Sequence, residues 1–236
     1  MKNRINLENF NIRTDLIIDE DVENKVLNKE LISDNLSISY IEVTKELSTL
    51  LKKKEGIYVT LEFQDITNHE DKIEIEKHLS NEIKKILKEM NLKDSDDCLV
   101  IGLGNRDSTA DSLGPLVLDK VMVTRHLFLL DVSVKKGIRC VSAISPGVMA
   151  NTGIETSDII LCLVNKIQPK FLVVIDALAS SSIDRINKTI QITNTGIHPG
   201  SGIGNNRKEI SLDTIGIPVI AIGVPTVVES SILVND

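Results

Sequence analysis

Several function classes need residues that this sequence has little of. It contains no Trp, and aromatics make up 3% of its 236 residues. Without aromatic platforms, base stacking on single-stranded nucleic acid has little to work with. Ile, Val and Leu must then build the core, a composition that suits buried parallel strands. Cysteines number three, Cys98, Cys140 and Cys162. None forms a CxxC spacing, which argues against a disulfide framework or a zinc site and fits a reducing cytoplasm. The amino end is polar, without an apolar h-region, and nowhere do eighteen apolar residues run together. Neither secretion nor membrane insertion is therefore expected. Acidic residues outnumber basic ones, 34 to 27, for a net charge of −7. That balance disfavours DNA and anionic membranes as partners.

Familiar catalytic motifs are also missing. No G-x-x-x-x-G-K-[ST] occurs, no G-x-S-x-G and no H-E-x-x-H, which excludes a P-loop, a nucleophile elbow and a zincin helix. Gly102-Leu-Gly104 could open a dinucleotide fingerprint, but the third position is Asp107, whose charge would repel a pyrophosphate. The two glycines are better read as a tight turn.

The chain does hold an ordinary globular balance, 42% hydrophobic and 26% charged. Its length allows one large domain or two small ones, and a chain this long can bury about 70–75% of its unfolded surface. Residues 1–15 are polar and aperiodic and read as an extension, with residues 16–236 as a single domain. Ile57–Phe63 alternates as a half-buried strand, and Ile38–Val43 is a second candidate. Ile73, Ile75, Leu79, Ile83, Ile86, Leu87 and Met90 mark an amphipathic helix over 71–90. From Cys98 onward strand and helix alternate, with strands expected at 98–103, 139–144, 171–176, 189–193 and 217–222 and helices at 115–123 and 155–167. This rhythm predicts an α/β fold, a three-layer sandwich around a mostly parallel sheet.

Two aspartates stand out in that frame. Asp111 lies in the polar loop after the Cys98–Leu103 strand, and Asp176 closes Phe171-Leu-Val-Val-Ile-Asp176. The carboxyl ends of strands in open α/β sheets are where chemistry is usually placed. Each residue alone could simply cap a helix or turn. As a pair at close range, only one would ionise near neutrality, because like charges in low dielectric oppose each other. One could then polarise a peptide carbonyl as acid while the other activates water as base. His198 sits in the Gly196–Gly204 loop. Either that His is an ordinary surface residue, or its loop (Gly200, Ser201, Gly202) offers backbone N–H groups to a substrate or oxyanion. Asp111, Asp176 and His198 together would also suit a metal such as nickel or zinc.

The chain resembles the spore germination endopeptidases of spore-forming Firmicutes, which degrade small acid-soluble spore proteins. Segments that carry the resemblance include Ile12-Arg-Thr-Asp-Leu16, Tyr58-Val-Thr-Leu-Glu62, Gly102-Leu-Gly-Asn105, Asp111-Ser-Leu-Gly-Pro115, Val141–Met149, Ile175-Asp-Ala-Leu-Ala179, Thr195–Gly202 and Ile220–Thr226, spread along nearly the whole chain. The resemblance implies a hydrolase of aspartic type with Asp111 and Asp176 catalytic and no cofactor. It further implies an inactive precursor that removes a short propeptide by itself, a homotetramer, and a location in the cytoplasm of the forespore or spore core. Its fold would be like that of hydrogenase-maturation endopeptidases, whose nickel site uses two carboxylates and a histidine. Self-cleavage is expected between Asp15 and Leu16, where an acidic residue precedes apolar ones. The loop Arg106–Ala110 departs from the family, lacking an aromatic and a proline expected there. The family also continues through a carboxyl-terminal portion expected to be absent here. Two alternatives are a metal-dependent maturation-type endopeptidase using Asp111, Asp176 and His198, and a non-catalytic phosphate- or nucleotide-binding module built on the Gly196–Gly204 loop.

Overall fold

The computed structural model describes residues 14–20, 28–130, 134, 137–200 and 207–228. The most buried strand in it is Cys98–Gly102, all five of whose residues are buried. Its run of apolar residues has no polar alternation because both of its faces are covered. Cys98 and Val100 pack with Ile75 and Ile86 of the long helix His69–Glu89. Leu99 and Ile101 point the other way, to Ile160 and Val164 of the helix Thr156–Ile167. Helices thus lie on both faces of the sheet. A third cluster joins Ile17 to Ile41, Val43, Leu51 and Tyr58.

In chain order the strands are β1 (Asn28–Leu31), β2 (Leu36–Val43), β3 (Gly56–Phe63), β4 (Cys98–Gly102), β5 (Val141–Ile144), β6 (Phe171–Ser180), β7 (Thr189–Thr193) and β8 (Val219–Val228). The helices are α1 (Lys45–Leu51), α2 (His69–Glu89), α3 (Leu113–Leu118), α4 (Arg125–Leu129), α5 (Met149–Thr152), α6 (Thr156–Ile167) and α7 (Leu212–Ile215). They form one eight-stranded sheet in the order β1-β2-β3-β7-β8-β6-β4-β5.

That sheet is mixed, and the expectation of a mostly parallel one is corrected. The β5-β4-β6-β8 half is parallel. The β8-β7-β3-β2-β1 half is antiparallel throughout. The strand–helix rhythm seen from Cys98 onward does not describe β1, β2, β3 and β7, and a helix between strands need not carry the chain across a sheet. Residues 44–55 hold α1 yet return the chain beside β2, pairing Val43 with Gly56. Between β6 and β7 only residues 181–188 intervene, shorter than the dozen or so a parallel crossover needs.

Helix α2 begins where Asn68 accepts a hydrogen bond from the Glu70 N–H at 3.0 Å, with Glu70 and Asp71 in its first turn. Both features suit the positive end of a helix dipole. The expected helix at 115–123 is shorter and earlier: α3 runs Leu113–Leu118, and Ser112 precedes it as cap. Its start is set by close packing. A Cβ on Gly114 would overlap the carbonyl oxygen of Leu103 and sit 2.7 Å from that of Ile175. Only glycine lets the helix press its backbone onto the ends of β4 and β6.

Candidate active site

Asp176 does not end its strand, as the sequence suggested; β6 continues to Ser180. The extension arises because β8 runs on beside it, Asp176 pairing with Gly223 and Ser180 with Val228, across a bulge at Leu178/Ala179. On the other side β4 stops at Gly102, opposite Ile175. Past that point no strand among the described residues covers the β6 edge facing β4, and Asp111 approaches from the loop after β4. The two aspartates line one cavity of about 320 Å³ together with Asp15, Gly104, Gly200 and Arg207.

Gly104 brings Asp111 into place. It has φ of +108°, and a Cβ there would overlap the Asp111 carbonyl oxygen and sit 2.8 Å from its Oδ1. Asp111 does not cap α3. Its Oδ2 instead accepts the Asn105 N–H at 2.9 Å, closing the turn on itself. Gly104→Ala should therefore cost on the order of 1–3 kcal/mol, through a left-handed conformation and a backbone overlap. A denaturant melt measures this, and a change below about 0.5 kcal/mol would show the turn to be unstrained.

Electrostatics set the two carboxyls apart. Asp176 is 5% exposed, and its carboxyl is pushed well above the usual carboxylate range. Burial is the main cause, and the neighbouring Asp111 and Asp15 add to it, against one hydrogen bond from the Ala177 N–H. Asp111 is only half-buried. Burial raises its pKa too, opposed by the Asn105 N–H and the positive field of Arg207. The proton of the pair thus belongs on the Asp176 side, and the negative charge on the Asp111 side.

Asp15 lies between this cavity and a larger one of about 690 Å³ and lines both. Its N–H donates to the Ala179 carbonyl and its Oδ2 accepts the Ala179 N–H, each at 2.9 Å. Leu16 and Ile17 follow, fully buried. The expected Asp15/Leu16 boundary therefore falls inside a held segment rather than at the edge of a loose extension, because two apolar side chains pull it onto the sheet. Residues 1–13 of the expected extension lie outside the described residues.

Asp19 locks the same segment. Its carboxylate, with no exposed surface, pairs with Arg185 at 2.5 Å. It also accepts from Thr14 Oγ1 at 2.6 Å, Ser180 Oγ at 2.9 Å and the Ser181 N–H at 2.7 Å. Asp19→Ala removes the shared acceptor of Thr14, Ser180 and the Ser181 N–H, leaves Arg185 with Glu62 at 3.4 Å, and should cost about 3–5 kcal/mol. Thermal denaturation tests it; a loss under about 1 kcal/mol would place the pair among weak surface ion pairs.

His198 is not brought to the aspartates. It lines the larger cavity, and its Nε2 lies 3.2 Å from Glu209 Oε2. The cause is a local pairing, in which Ile197 and Ile210 exchange N–H···O bonds of 2.9 Å and set His198 beside Glu209. The Asp111/Asp176/His198 metal set is thus not assembled. Among the described residues, no group of three or more His, Cys, Asp or Glu is placed to hold a metal ion. Gly200 does line the aspartate cavity, whereas Ser201 and Gly202 lie outside the described residues. Sequence reasoning missed Lys53 and Gln191, which both reach the Asp15 segment. Lys53 was hidden in a lysine-rich turn. Gln191 carried a signal, being a polar residue between Ile190 and Ile192 in a strand otherwise fit for burial.

The sequence model of the germination protease family matches residues 9–236. The chain is 44% identical over 256 aligned residues to the germination protease of Geobacillus sp. (strain WCH70), covering all of this chain and 68% of that one. Over 253 residues it is 46% identical to the germination protease of Priestia megaterium (strain ATCC 12872 / QMB1551), with the same coverage. Among solved structures, the [NiFe] hydrogenase maturation protease HycI from Thermococcus kodakarensis KOD1 is 13% identical. That match covers 58% of this chain and 83% of the other with a TM-score of 0.34, too low to carry an argument.

Proposed function

The chain belongs to the germination protease family, so its activity is that of an endopeptidase of spore germination, and we propose that Asp111 and Asp176 are the pair that hydrolyses the peptide bond. One observation carries this reading: the two carboxyls line a single cavity and differ in their hold on a proton. Asp176, buried, keeps its proton and serves as acid. Asp111 keeps the charge and serves as base towards water. The substrates are small acid-soluble spore proteins, a reading supported by the family resemblance of the motifs around both aspartates.

The chain is a precursor, with residues 1–15 as propeptide and 16–236 as the catalytic unit. Support comes from Asp15, which lines the aspartate cavity. The family resemblance also supports a homotetramer within the spore core. Met122, Leu129 and Leu130, each at least 70% exposed, provide apolar surface around α4 for another copy to cover.

The test is incubation of the chain, once it has lost residues 1–15 at mildly acidic pH, with a small acid-soluble spore protein, read by gel and mass spectrometry. Discrete fragments are expected, undiminished by a chelator. An unchanged substrate would overturn the reading, and activity lost to chelator and restored by a divalent ion would overturn the metal-free pair.

A further inference from the structure

Lys53 is the middle of three lysines between α1 and β3, and its side chain is only 16% exposed. Its ammonium reaches the opposite segment, donating to the Thr14 carbonyl oxygen at 3.0 Å and to the Asp15 carbonyl oxygen at 3.2 Å. Gln191 Nε2 donates to that same Asp15 oxygen at 3.4 Å. The other end of the carboxamide, Oε1, accepts the Ile17 N–H at 2.8 Å. Gln191 therefore spans the Asp15–Leu16 bond, gripping the carbonyl before it and the amide two residues on. Because its two ends meet one acceptor and one donor, the amide's orientation is fixed. Glu20, 3.7 Å from the ammonium, is the nearest carboxylate to balance it.

Two donors, one of them charged, occupy both lone pairs of a single backbone carbonyl oxygen. The same pair would suit an oxygen that becomes fully negative. We propose that Lys53 and Gln191 form the oxyanion site for the Asp15–Leu16 bond. This rests on the reading above that this bond is the one cut.

The step then balances as follows. Asp111 takes a proton from water, and the hydroxide oxygen bonds to the Asp15 carbonyl carbon. The carbonyl electron pair moves onto the oxygen, where Lys53 and Gln191 hold the negative charge. Collapse returns that pair and breaks the C–N bond, while Asp176 gives its proton to the leaving Leu16 nitrogen. With the oxygen held by Lys53, the neutral carboxyl is free to serve the leaving group. Donors fixed beforehand in a site shielded from water are the kind that stabilise a transition state most strongly.

The experiment uses the full chain and measures its first-order self-cleavage by mass spectrometry, with hydrogen exchange at the Ile17 amide as a report on seating. Lys53→Met removes the charge, and Asp15 keeps its bonds to Ala179. Gln191→Glu retains an acceptor for Ile17 but turns the donor towards Asp15 into an acceptor. Each should slow cleavage by about 10²–10³-fold, with Ile17 still protected. Lys53→Arg, which restores a charged donor, should recover part of the rate. Cleavage within about threefold of wild type in either Lys53→Met or Gln191→Glu overturns the inference. So does loss of cleavage together with loss of Ile17 protection in both variants, which marks a mere anchor. A wild-type chain that keeps its first 15 residues overturns the cleavage reading itself, and that result is seen without any variant.

Discussion

Asp111→Asn and Asp176→Asn are each expected to lower cleavage of a spore protein by about 10³-fold or more, since residues that act as a unit lose nearly everything when one goes. Both proteins should stay folded. Their stabilities should vary with pH less than that of the wild type, which guards against reading a folding defect as a catalytic one. Asp176 has a folded pKa raised above its unfolded value, chiefly by burial and then by Asp111 and Asp15. Its favourable contribution is therefore complete below the unfolded pKa of about 3.9. That contribution is lost as pH rises through the folded pKa. Wild-type stability should accordingly fall with rising pH across this window. Asp176→Asn removes the titration, flattens the profile and raises the melting temperature on the alkaline side. Asp111 is raised in the same direction, so its replacement should flatten the profile in the same sense. Substantial activity in either Asn variant would end the assignment. An Asp176→Asn protein that melts lower than wild type at neutral pH would show that the carboxyl is not the buried acid described here.

Loss of residues 1–15 from the purified chain at mildly acidic pH is the second large effect expected, and it should be complete rather than partial. Asp15 lines the aspartate cavity and is held by Ala179, and the residues after it are held by Gln191 and the Asp19–Arg185 pair. Low pH favours the neutral form of the acid carboxyl, and the held geometry removes the search a bimolecular reaction would need. Intact mass should fall by the mass of fifteen residues, at a rate independent of protein concentration. An Asp176→Asn chain free of other protease should keep its amino terminus. The same cut appearing in that variant, or full activity in an uncut chain, would defeat the mechanism.

Much of this architecture was legible in the residues. The apolar run at Cys98–Gly102 announced a strand covered on both faces, and the spacing of Ile75, Leu79, Ile83 and Ile86 announced α2, found at His69–Glu89. The direction of pairing was not legible. Local pattern reports which residues face a core but not which way the neighbouring strand runs, so β2, β3 and β7 gave no sign of their antiparallel ladder. The extent of β6 past Asp176 was hidden for a related reason. Ala177–Ser180 pair with the far end of β8, nearly fifty residues away in sequence. The two aspartates stood out because each follows an apolar run. His198 looked equally promising in its glycine-rich loop, but Glu209, brought beside it by the Ile197–Ile210 bridge, holds it elsewhere.

Leu16 has no exposed surface. Hydrolysis before it would turn a neutral amide into an ammonium ion on a residue with no exposed surface. An unpaired charge in such surroundings is costly by several kcal/mol. The fold as it stands would thus be a good host for the uncut chain and a poor host for its own product. Relief requires the new terminus to move outward or a carboxylate to come to it. Either response rearranges the residues that bridge the two cavities, and neither can be undone by simple reversal. Maturation would then behave as a one-way latch, in which making the charge supplies the push that displaces the cut segment.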